Sequence, residues 1–340
     1  MRKHLFGLTL EELKSLSIEL GLPAFTGRQL AEWLYKKEIS SFEEMTNLSK
    51  KARALLKENF DMGIVSPVQA QESGDGTKKY LFPALEGKYI ETAYIPEGNR
   101  HTVCVSSQVG CKMGCLFCMT GKQGFQGNLR SGEILNQYRS IPEWRSITNL
   151  VYMGMGEPLD NLPEVLKSLE VLTSEWGFAL SPRRITVSTI GITPAMLEFL
   201  NNSQAHLAVS LHTPFDEERS KLMPVQQVYP LKEVLNEIKS WDFGRQRRVS
   251  FEYILFKNFN DSVSHVNELS RILHGIRCRI NLIRFHPIPD TPLESPDEET
   301  IGLFKEKLSA KGIVTTIRAS RGQDIWAACG LLSTKKLADK

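Results

Sequence analysis

Three closely spaced cysteines form a pattern that could hold an iron–sulfur cluster. Cys111, Cys115 and Cys118 make a C-x3-C-x2-C motif in this chain of 340 residues. Four thiolates would complete the coordination of a tetrahedral zinc ion, or would ligate every iron of a four-iron cluster. Three thiolates leave one coordination position without a protein ligand. The motif therefore predicts a metal centre that can bind a substrate or cosubstrate directly.

A structural zinc site is the alternative interpretation of the same motif. His101 or Cys104 would then supply the fourth ligand. Zinc ligands usually form two short pairs that are separated by a longer loop. The three clustered cysteines do not follow that spacing, so the pattern favours an iron–sulfur cluster.

Composition and charge indicate a globular enzyme rather than a generally basic nucleic-acid-binding protein. Hydrophobic residues make up 41% of the chain, and 42 Lys and Arg balance 39 Asp and Glu. The six cysteines lack a disulfide-type spacing, and no apolar stretch is long enough to cross a membrane. We therefore expect a cytoplasmic protein with no membrane partner.

The chain divides into three predicted regions. Residues 1–58 form a helical unit with two capping boxes, Thr9–Glu12 and Ser41–Glu44. Residues 59–98 form a β-hairpin that links this unit to the rest of the chain. In residues 99–335, short strands rich in Val, Ile and Leu alternate with helices, a pattern typical of a parallel sheet.

The fold class is therefore predicted to be α/β, as a partial (β/α)6 barrel of the TIM type. The predicted strands are 102–107, 148–153, 184–189, 206–211, 248–255 and 279–284, with a further strand at 313–318. Active sites of such barrels lie at the carboxyl ends of the strands. Five motifs follow strand ends here: the three-cysteine motif, Gly154–Pro158, Ser188–Thr189, Ser210–His212 and Phe285–His286.

Two of these motifs suit specific contacts. Gly156-Glu157-Pro158 suits a ligand with an ammonium group, because the glycine allows close approach and the glutamate supplies negative charge. His212 and His286 are interpreted as hydrogen-bonding partners, and neither is assigned a catalytic proton role.

Two cysteines outside the motif are candidates for thiol chemistry. Cys104 lies on the first barrel strand, and Cys329 lies in a loop after the last one. The ends of a barrel come together in space, so both thiols could face one cavity. The alternative for Cys329 is a small core residue. Arginine pairs that would suit a polyanion occur at Arg183–Arg184, Arg245–Arg248, Arg277 with Arg279, and Arg318 with Arg321.

Taken in order, these motifs resemble the RlmN/Cfr family of radical S-adenosylmethionine (SAM) adenine methyltransferases over essentially the whole chain. The resemblance implies a [4Fe-4S] cluster whose open iron chelates the amino and carboxylate groups of SAM. It implies methylation at C2 of an adenine in the peptidyl-transferase centre of 23S rRNA, and of an adenine in some tRNAs. It also implies an RNA-binding role for the helical unit, and an electron donor such as flavodoxin or ferredoxin.

The resemblance also implies the roles of individual residues. Cys111, Cys115 and Cys118 would ligate the cluster, and the SAM contacts would be Gly156, Glu157, Ser188, Ser210, Leu211, His212 and His286. Cys329 would carry a methyl group taken from a first SAM, and a second SAM would generate the radical. Cys104 would release the protein-bound RNA through a transient disulfide. Glu91 would accept the C2 proton, although on its sequence alone it is interpreted as an edge-strand carboxylate.

The chain departs from the family pattern at three positions. His286 stands where relatives usually carry an asparagine, Arg284 replaces a proline, and Gly127 stands where an arginine is common. Three alternative functions remain open from the sequence. They are methylation at C8 of the same adenine, radical SAM chemistry on a small molecule, and a non-enzymatic metal-containing RNA-binding protein.

Overall fold

The computed structural model describes residues 2–85, 87–244 and 249–334. The predicted arginine cluster at Arg245, Arg247 and Arg248 lies outside the described residues, as does residue 335 at the predicted end of the barrel region. No helix in the described ranges is both long enough and apolar enough to cross a membrane.

The amino-terminal region is a small helical unit. Its helices are α1 (Leu10–Glu19), α2 (Phe25–Ala31) and α3 (Lys50–Asn59), and its flanking strands β1 (Lys3–His4) and β2 (Phe60–Asp61) pair in parallel. The predicted capping box at Thr9 is present, since Thr9 Oγ1 accepts a hydrogen bond from the Glu12 amide at 3.2 Å. The second box, at Ser41, begins only a short 3₁₀ turn at Phe42–Glu44. The longer helix α3 begins later, after Ser49, whose hydroxyl caps it.

The rest of the chain is built on one sheet of ten strands. These are β3 (Gln69–Glu72), β4 (Lys78–Ala84), β5 (Lys88–Glu97), β6 (Arg100–Val105), β9 (Asn149–Tyr152), β10 (Ile185–Thr189), β11 (His206–Ser210), β12 (Val249–Leu255), β13 (Cys278–Arg284) and β14 (Val314–Ile317). The strands from β6 and β9 to β14 are all parallel neighbours in chain order. A separate two-stranded ribbon pairs β7 (Gln108–Val109) with β8 (Gly127–Asn128).

Helices follow the parallel strands, and their apolar faces are buried. They are α4 (Met119–Gln123), α5 (Ser131–Arg139), α6 (Leu162–Thr173), α7 (Thr193–Asn202), α8 (Asp216–Leu222), α9 (Leu231–Ser240), α10 (Val263–Ile272) and α11 (Glu298–Ala310). On α9, for example, Leu231, Val234, Leu235 and Ile238 are buried at the spacing of one helix face. The predicted α/β barrel architecture is confirmed, with seven parallel strands in the described sheet.

The predicted hairpin is part of this sheet. β4 and β5 pair in antiparallel fashion, and β5 also pairs with β6, with Ala93 opposite Cys104. Glu91 therefore lies on an interior strand with strands on both sides, and the interpretation as an edge-strand carboxylate is wrong. The carboxylate itself is buried on one face of the sheet, where Lys79 and the amide of Ser333 contact it.

Contacts across the barrel bring its two ends together. Arg318, directly after β14, donates to Sδ of Met153, directly after β9, at 3.3 Å. The hydroxyl of Ser73, after β3, donates to Asp324 at 2.6 Å. The loop after the last strand is thus held against the first strands, as a partial barrel requires.

Candidate active site

The three-cysteine motif lies in the loop between β6 and α4. Cys115 is buried, Cys111 and Cys118 are half-buried, and all three are free thiols. Burial raises the pKa of the Cys111 thiol to about 12 and raises that of Cys115 further, and the neighbouring thiols of the motif add to both effects. The three sulfurs therefore lie close enough to interact electrostatically. Without a cation between them, this is an unfavourable place for thiolates.

The arrangement fits a cluster better than a single zinc ion. Within the described ranges, no three His, Cys, Asp or Glu side chains converge on a point that could hold one metal ion. A four-iron cluster places each thiolate on its own iron, so its ligands need not meet at one point. The ring of His101, proposed above as a zinc ligand, lies on β6 and hydrogen-bonds to Tyr94. The structure gives the zinc alternative no support.

The Gly156-Glu157 turn lies beside this motif. Glu157 is buried, and its two carboxylate oxygens accept hydrogen bonds from the amides of Leu159 and Ile190, each at 3.1 Å. Burial raises the pKa of Glu157 to about 7, against the opposing effect of these hydrogen bonds. Its charge in turn raises the pKa of Cys111 and Cys115. A carboxylate can accept several hydrogen bonds, so Glu157 can also accept one from an ammonium donor.

Ser188, Ser210 and Leu211 lie at neighbouring strand ends on β10 and β11. The two serines are half-buried, whereas the side chain of Leu211 is fully buried. The carbonyl of Ser210 accepts a hydrogen bond from the buried Arg219 at 3.1 Å. Leu211 therefore offers only backbone groups to a ligand.

His212 is a buried, neutral side chain. Its Nδ1 accepts a hydrogen bond from the Ile254 amide at 3.0 Å, so the proton is on Nε2. Burial, together with Arg219, lowers the pKa of His212 to about 3. The ring meets Phe117, within the three-cysteine motif, edge-on at 4.7 Å between centroids. A neutral Nε2–H suits the hydrogen-bonding role predicted for this residue.

The three departures from the family pattern have different surroundings. Arg284 points outward and pairs with Glu298 on α11, so it replaces the usual proline with a surface ion pair. His286 is half-buried, and its Nδ1 lies 3.1 Å from the side-chain amide of Gln323, in the loop that carries Cys329. At Gly127 a Cβ atom would lie 2.2 Å from the side chain of Leu85, so a larger residue there would have to displace Leu85.

Cys104 and Cys329 lie near each other. Cys104 is buried in a small cluster with Ala93, Val151 and Ala327, while Cys329 is exposed. Burial, with a further contribution from Cys329, raises the pKa of Cys104 to about 12. The alternative interpretation of Cys329 as a core residue is wrong, because its small neighbours Ala327 and Ala328 are buried instead.

Arg318 occupies a position that the sequence did not indicate. Its Nε lies 3.6 Å from Oε2 of the buried Glu252 on β12. Glu252, followed by Cys329 and Cys104, raises the pKa of Arg318. Arg318 was predicted as one of a pair of arginines that would suit a polyanion, whereas its guanidinium pairs with the buried Glu252. A lone acidic residue in the apolar strand Val249–Leu255 was the signal that a cation would be needed beside it.

The barrel interior also contains a carboxylate oxygen that is available to accept a hydrogen bond from a ligand. Glu252 Oε1 accepts a hydrogen bond from Asn281 at 2.8 Å, but Oε2 has no hydrogen-bond partner among the described residues. Buried carboxylate oxygens are normally hydrogen-bonded. A cosubstrate with hydroxyl or ammonium donors, such as SAM, would satisfy this atom.

Glu91 opens into a cavity of about 280 Å³ between the hairpin and the carboxyl-terminal segment. Its lining residues are Gln69, Gln71, Lys79, Leu81, Glu91, Met119, Asp324, Ile325, Trp326, Leu331 and Ser333. The cavity is close to the lower limit of about 300 Å³ for ligand pockets. Burial raises the pKa of Glu91, and Lys79 opposes this effect.

The carboxyl-terminal segment is tied to the helix that follows the three-cysteine motif. Thr120 Oγ1 donates to the carbonyl of Leu332 at 2.7 Å, and the amide of Thr334 donates to Gln123 at 2.9 Å. These bonds fasten the segment that follows Cys329 to α4. The segment therefore connects the three-cysteine motif, Cys329 and the cavity at Glu91.

Comparisons with known proteins agree with this arrangement. The family model of the radical SAM superfamily matches residues 105–269, and that of the ribosomal RNA large subunit methyltransferase N-terminal domain matches residues 3–62. The chain is 57% identical over 335 residues to a probable dual-specificity RNA methyltransferase RlmN of Parabacteroides distasonis, covering 98% of each chain. It is 43% identical to the RlmN of Syntrophus aciditrophicus, covering 100% of this chain and 99% of the other. A radical SAM methyltransferase from Sphaerobacter thermophilus has a similar solved structure, with a TM-score of 0.90, 40% identity and coverage of 97% and 99%.

Proposed function

Because the chain belongs to the RlmN family of radical SAM enzymes, we propose that it is an RNA methyltransferase that adds a methyl group to C2 of adenine. Its substrates are 23S rRNA and, as for the relatives named dual-specificity enzymes, tRNA. The observation that best supports this proposal is the proximity of two further thiols, Cys104 and Cys329, whose loop packs against Cys104 through Ala327 and is bonded through Gly330 to the residue after the three-cysteine motif. A radical SAM enzyme that needed only its cluster would not require this second pair.

The radical SAM family uses a [4Fe-4S] cluster and SAM, and Cys111, Cys115 and Cys118 would hold the cluster here. When bound, the two groups supply a carbon radical that can remove a hydrogen atom from a methyl group. The buried Glu157 and the half-buried Ser188 and Ser210 line one end of the barrel, where they would orient SAM. His212 would contribute its neutral Nε2–H. A flavodoxin- or ferredoxin-like protein would supply the electron.

The target atom explains why two thiols are needed. C2 of adenine lies between two ring nitrogens and is electron-poor, so it does not attack the electrophilic methyl group of SAM. Cys329, as an exposed thiol, would first take the methyl group from SAM by ordinary nucleophilic displacement. Loss of one hydrogen atom then converts the S-methyl group to a carbon radical that adds to C2.

Release of the RNA would use Cys104 and Glu91. After the addition, one electron leaves to a one-electron acceptor and Glu91 takes the proton from C2, which restores the aromatic ring. The Cys104 thiolate then attacks the sulfur of Cys329. The S–S bond forms, the S–C bond breaks, and its electron pair takes up a proton to give the methyl group. A thiol reductant reopens the disulfide for the next turnover.

The cavity at Glu91 would receive the target base. Enzymes that modify a base within folded RNA take the base out of its stack and hold it in a pocket. The cavity is bounded on one side by the hairpin and on the other by the segment that follows Cys329. The amino-terminal helical unit would contact more distant parts of the RNA.

Mass spectrometry of RNA from a deletion strain tests this function. We expect 2-methyladenosine to disappear from 23S rRNA and from a subset of tRNAs. A plasmid copy of the gene should restore it, and a copy with Cys329→Ala should not. Loss of 8-methyladenosine with 2-methyladenosine intact would contradict the proposal and favour methylation at C8.

A further inference from the structure

Lys79 and Glu91 form an almost fully enclosed ion pair on adjacent strands. Leu81 on β4 lies directly opposite Glu91 on β5, so Lys79 is the diagonal neighbour on the same face of the sheet. Its Nζ lies 2.9 Å from Oε1 of Glu91, and the two side chains are only 12% and 9% exposed. A long side chain can span such a diagonal, and here it reaches directly to the carboxylate.

The other oxygen of the same carboxylate is also fixed. Oε2 of Glu91 accepts a hydrogen bond from the amide of Ser333 at 2.9 Å. Both oxygens are thus held by donors on two different elements, and this fixes the plane of the carboxylate at the cavity wall. The remaining charged residue among those that line the cavity is Asp324, whose carboxylate accepts from Ser73 on the far side.

An acceptor of the C2 proton must be ionised before the proton leaves carbon. Burial favours the neutral acid and raises the pKa of Glu91, and Lys79 is the charged side chain that lowers it again. The amide of Ser333 acts in the same direction, but it carries no formal charge. Ionisation of Glu91 therefore depends mainly on Lys79. The reaction described above assigns no role to this residue.

We propose that Lys79 is a positioning residue for the methyl transfer, holding the Glu91 carboxylate charged and aimed into the cavity so that it accepts the C2 proton. This inference rests on the proposed function. The proton moves from C2 to an oxygen of Glu91, and the electron pair of the C–H bond stays in the ring. Lys79 takes no part in the proton transfer or the methyl transfer itself and acts only through the Glu91 carboxylate.

The test compares Lys79→Met with a matched control, Lys78→Met. Lys78 is the next residue on the same strand, and it pairs with Glu143 at 3.1 Å rather than with Glu91. Reconstituted enzymes, already methylated on Cys329, are mixed with RNA and SAM under anaerobic conditions. The rate of methylated RNA formation is then measured across a range of pH.

We expect Lys79→Met to slow product formation by about 10²-fold near neutral pH, the lower end of what a positioned base contributes. Its rate should recover at higher pH, because a Glu91 without Lys79 ionises only there. Lys79→Arg should restore most of the rate at neutral pH, and Lys78→Met should match the wild type. Methylation of Cys329 by the first SAM should be unchanged in every variant.

Three results would overturn the inference. They are an unshifted pH profile for Lys79→Met, a loss of the same size in Lys78→Met, and no recovery with Lys79→Arg. If Lys79→Met does not fold, Lys79→Gln removes the charge while keeping a hydrogen-bond donor, and it must show the same pH shift. A wild-type enzyme that makes no methylated RNA would defeat the proposed function itself, so the two failures are distinguishable.

Discussion

The amide of Met119 donates a hydrogen bond to the carbonyl of Gly330 at 2.8 Å. Met119 follows Cys118, the last cysteine of the three-cysteine motif, and Gly330 follows Cys329. Two residues more than two hundred positions apart in the chain are thereby joined through the backbone. The link holds the proposed methyl carrier beside the loop that would hold the cluster, which proximity-dependent transfer requires.

Replacement of Cys329 should separate the cluster from the methyl transfer. We expect Cys329→Ala to lose RNA methylation completely while the visible absorption of the cluster and the cleavage of SAM persist. Cys278→Ala is the control, because Cys278 is a half-buried thiol at the start of β13 and has no assigned role. Retention of RNA methylation in Cys329→Ala would contradict the carrier role.

Replacement of Cys104 should trap the RNA on the protein. Without the second thiol, the bond between Cys329 and the RNA cannot be broken by disulfide formation. We therefore expect Cys104→Ala to run on denaturing gels as a protein–RNA conjugate that nuclease reduces to one attached nucleotide. Free methylated RNA in multiple turnovers would count against this step.

Arg318 should govern how fast the conjugate is resolved. Burial raises the pKa of Cys104 to about 12, and Arg318 acts against this rise. The thiolate fraction of Cys104, and with it the rate of release, should increase about tenfold per pH unit below that pKa. In Arg318→Gln we expect a longer-lived conjugate that higher pH rescues, whereas Arg321→Gln should behave as wild type. A conjugate whose lifetime does not depend on pH would contradict this role.

Much of this site was predictable from local patterns, and the rest depended on tertiary structure. The strands at 184–189 and 206–211 lie within one residue of the observed β10 and β11, because short Val- and Leu-rich runs between turn residues are a local signal. The ion pairs of Lys79 with Glu91 and of Arg318 with Glu252 were not predictable. The first pair depends on the register of two strands and the second on the curvature of the barrel. Neither property can be predicted from the residues next to these side chains in the sequence. A charged residue in the sequence carries no sign of a buried partner, so the pairing of Arg318 with Glu252 was missed.

Gly156 should tolerate no side chain. Its φ is +99°, and a Cβ atom would lie 2.8 Å from the backbone nitrogen of Gln108. We expect Gly156→Ala to cost about 1–3 kcal/mol in strain and to weaken SAM binding at least tenfold. Gly98→Ala is the matched control, since Gly98 also has a positive φ, of +54°, but nothing lies within 4 Å of its Cβ position. Equal losses in the two variants, measured by thermal unfolding and equilibrium dialysis with SAM, would show that the contact with Gln108 is unimportant.

The most direct test of the account follows the hydrogen atoms of the transferred methyl group. Anaerobic turnover with SAM that carries a trideuterated methyl group should give 5′-deoxyadenosine with one deuterium, and 2-methyladenosine whose methyl group holds two deuterium atoms and one proton. That pattern requires the methyl group to pass through Cys329 and lose a hydrogen atom there. A methyl group that arrives on the RNA with all three deuterium atoms would mean direct transfer from SAM, and it would contradict the radical route.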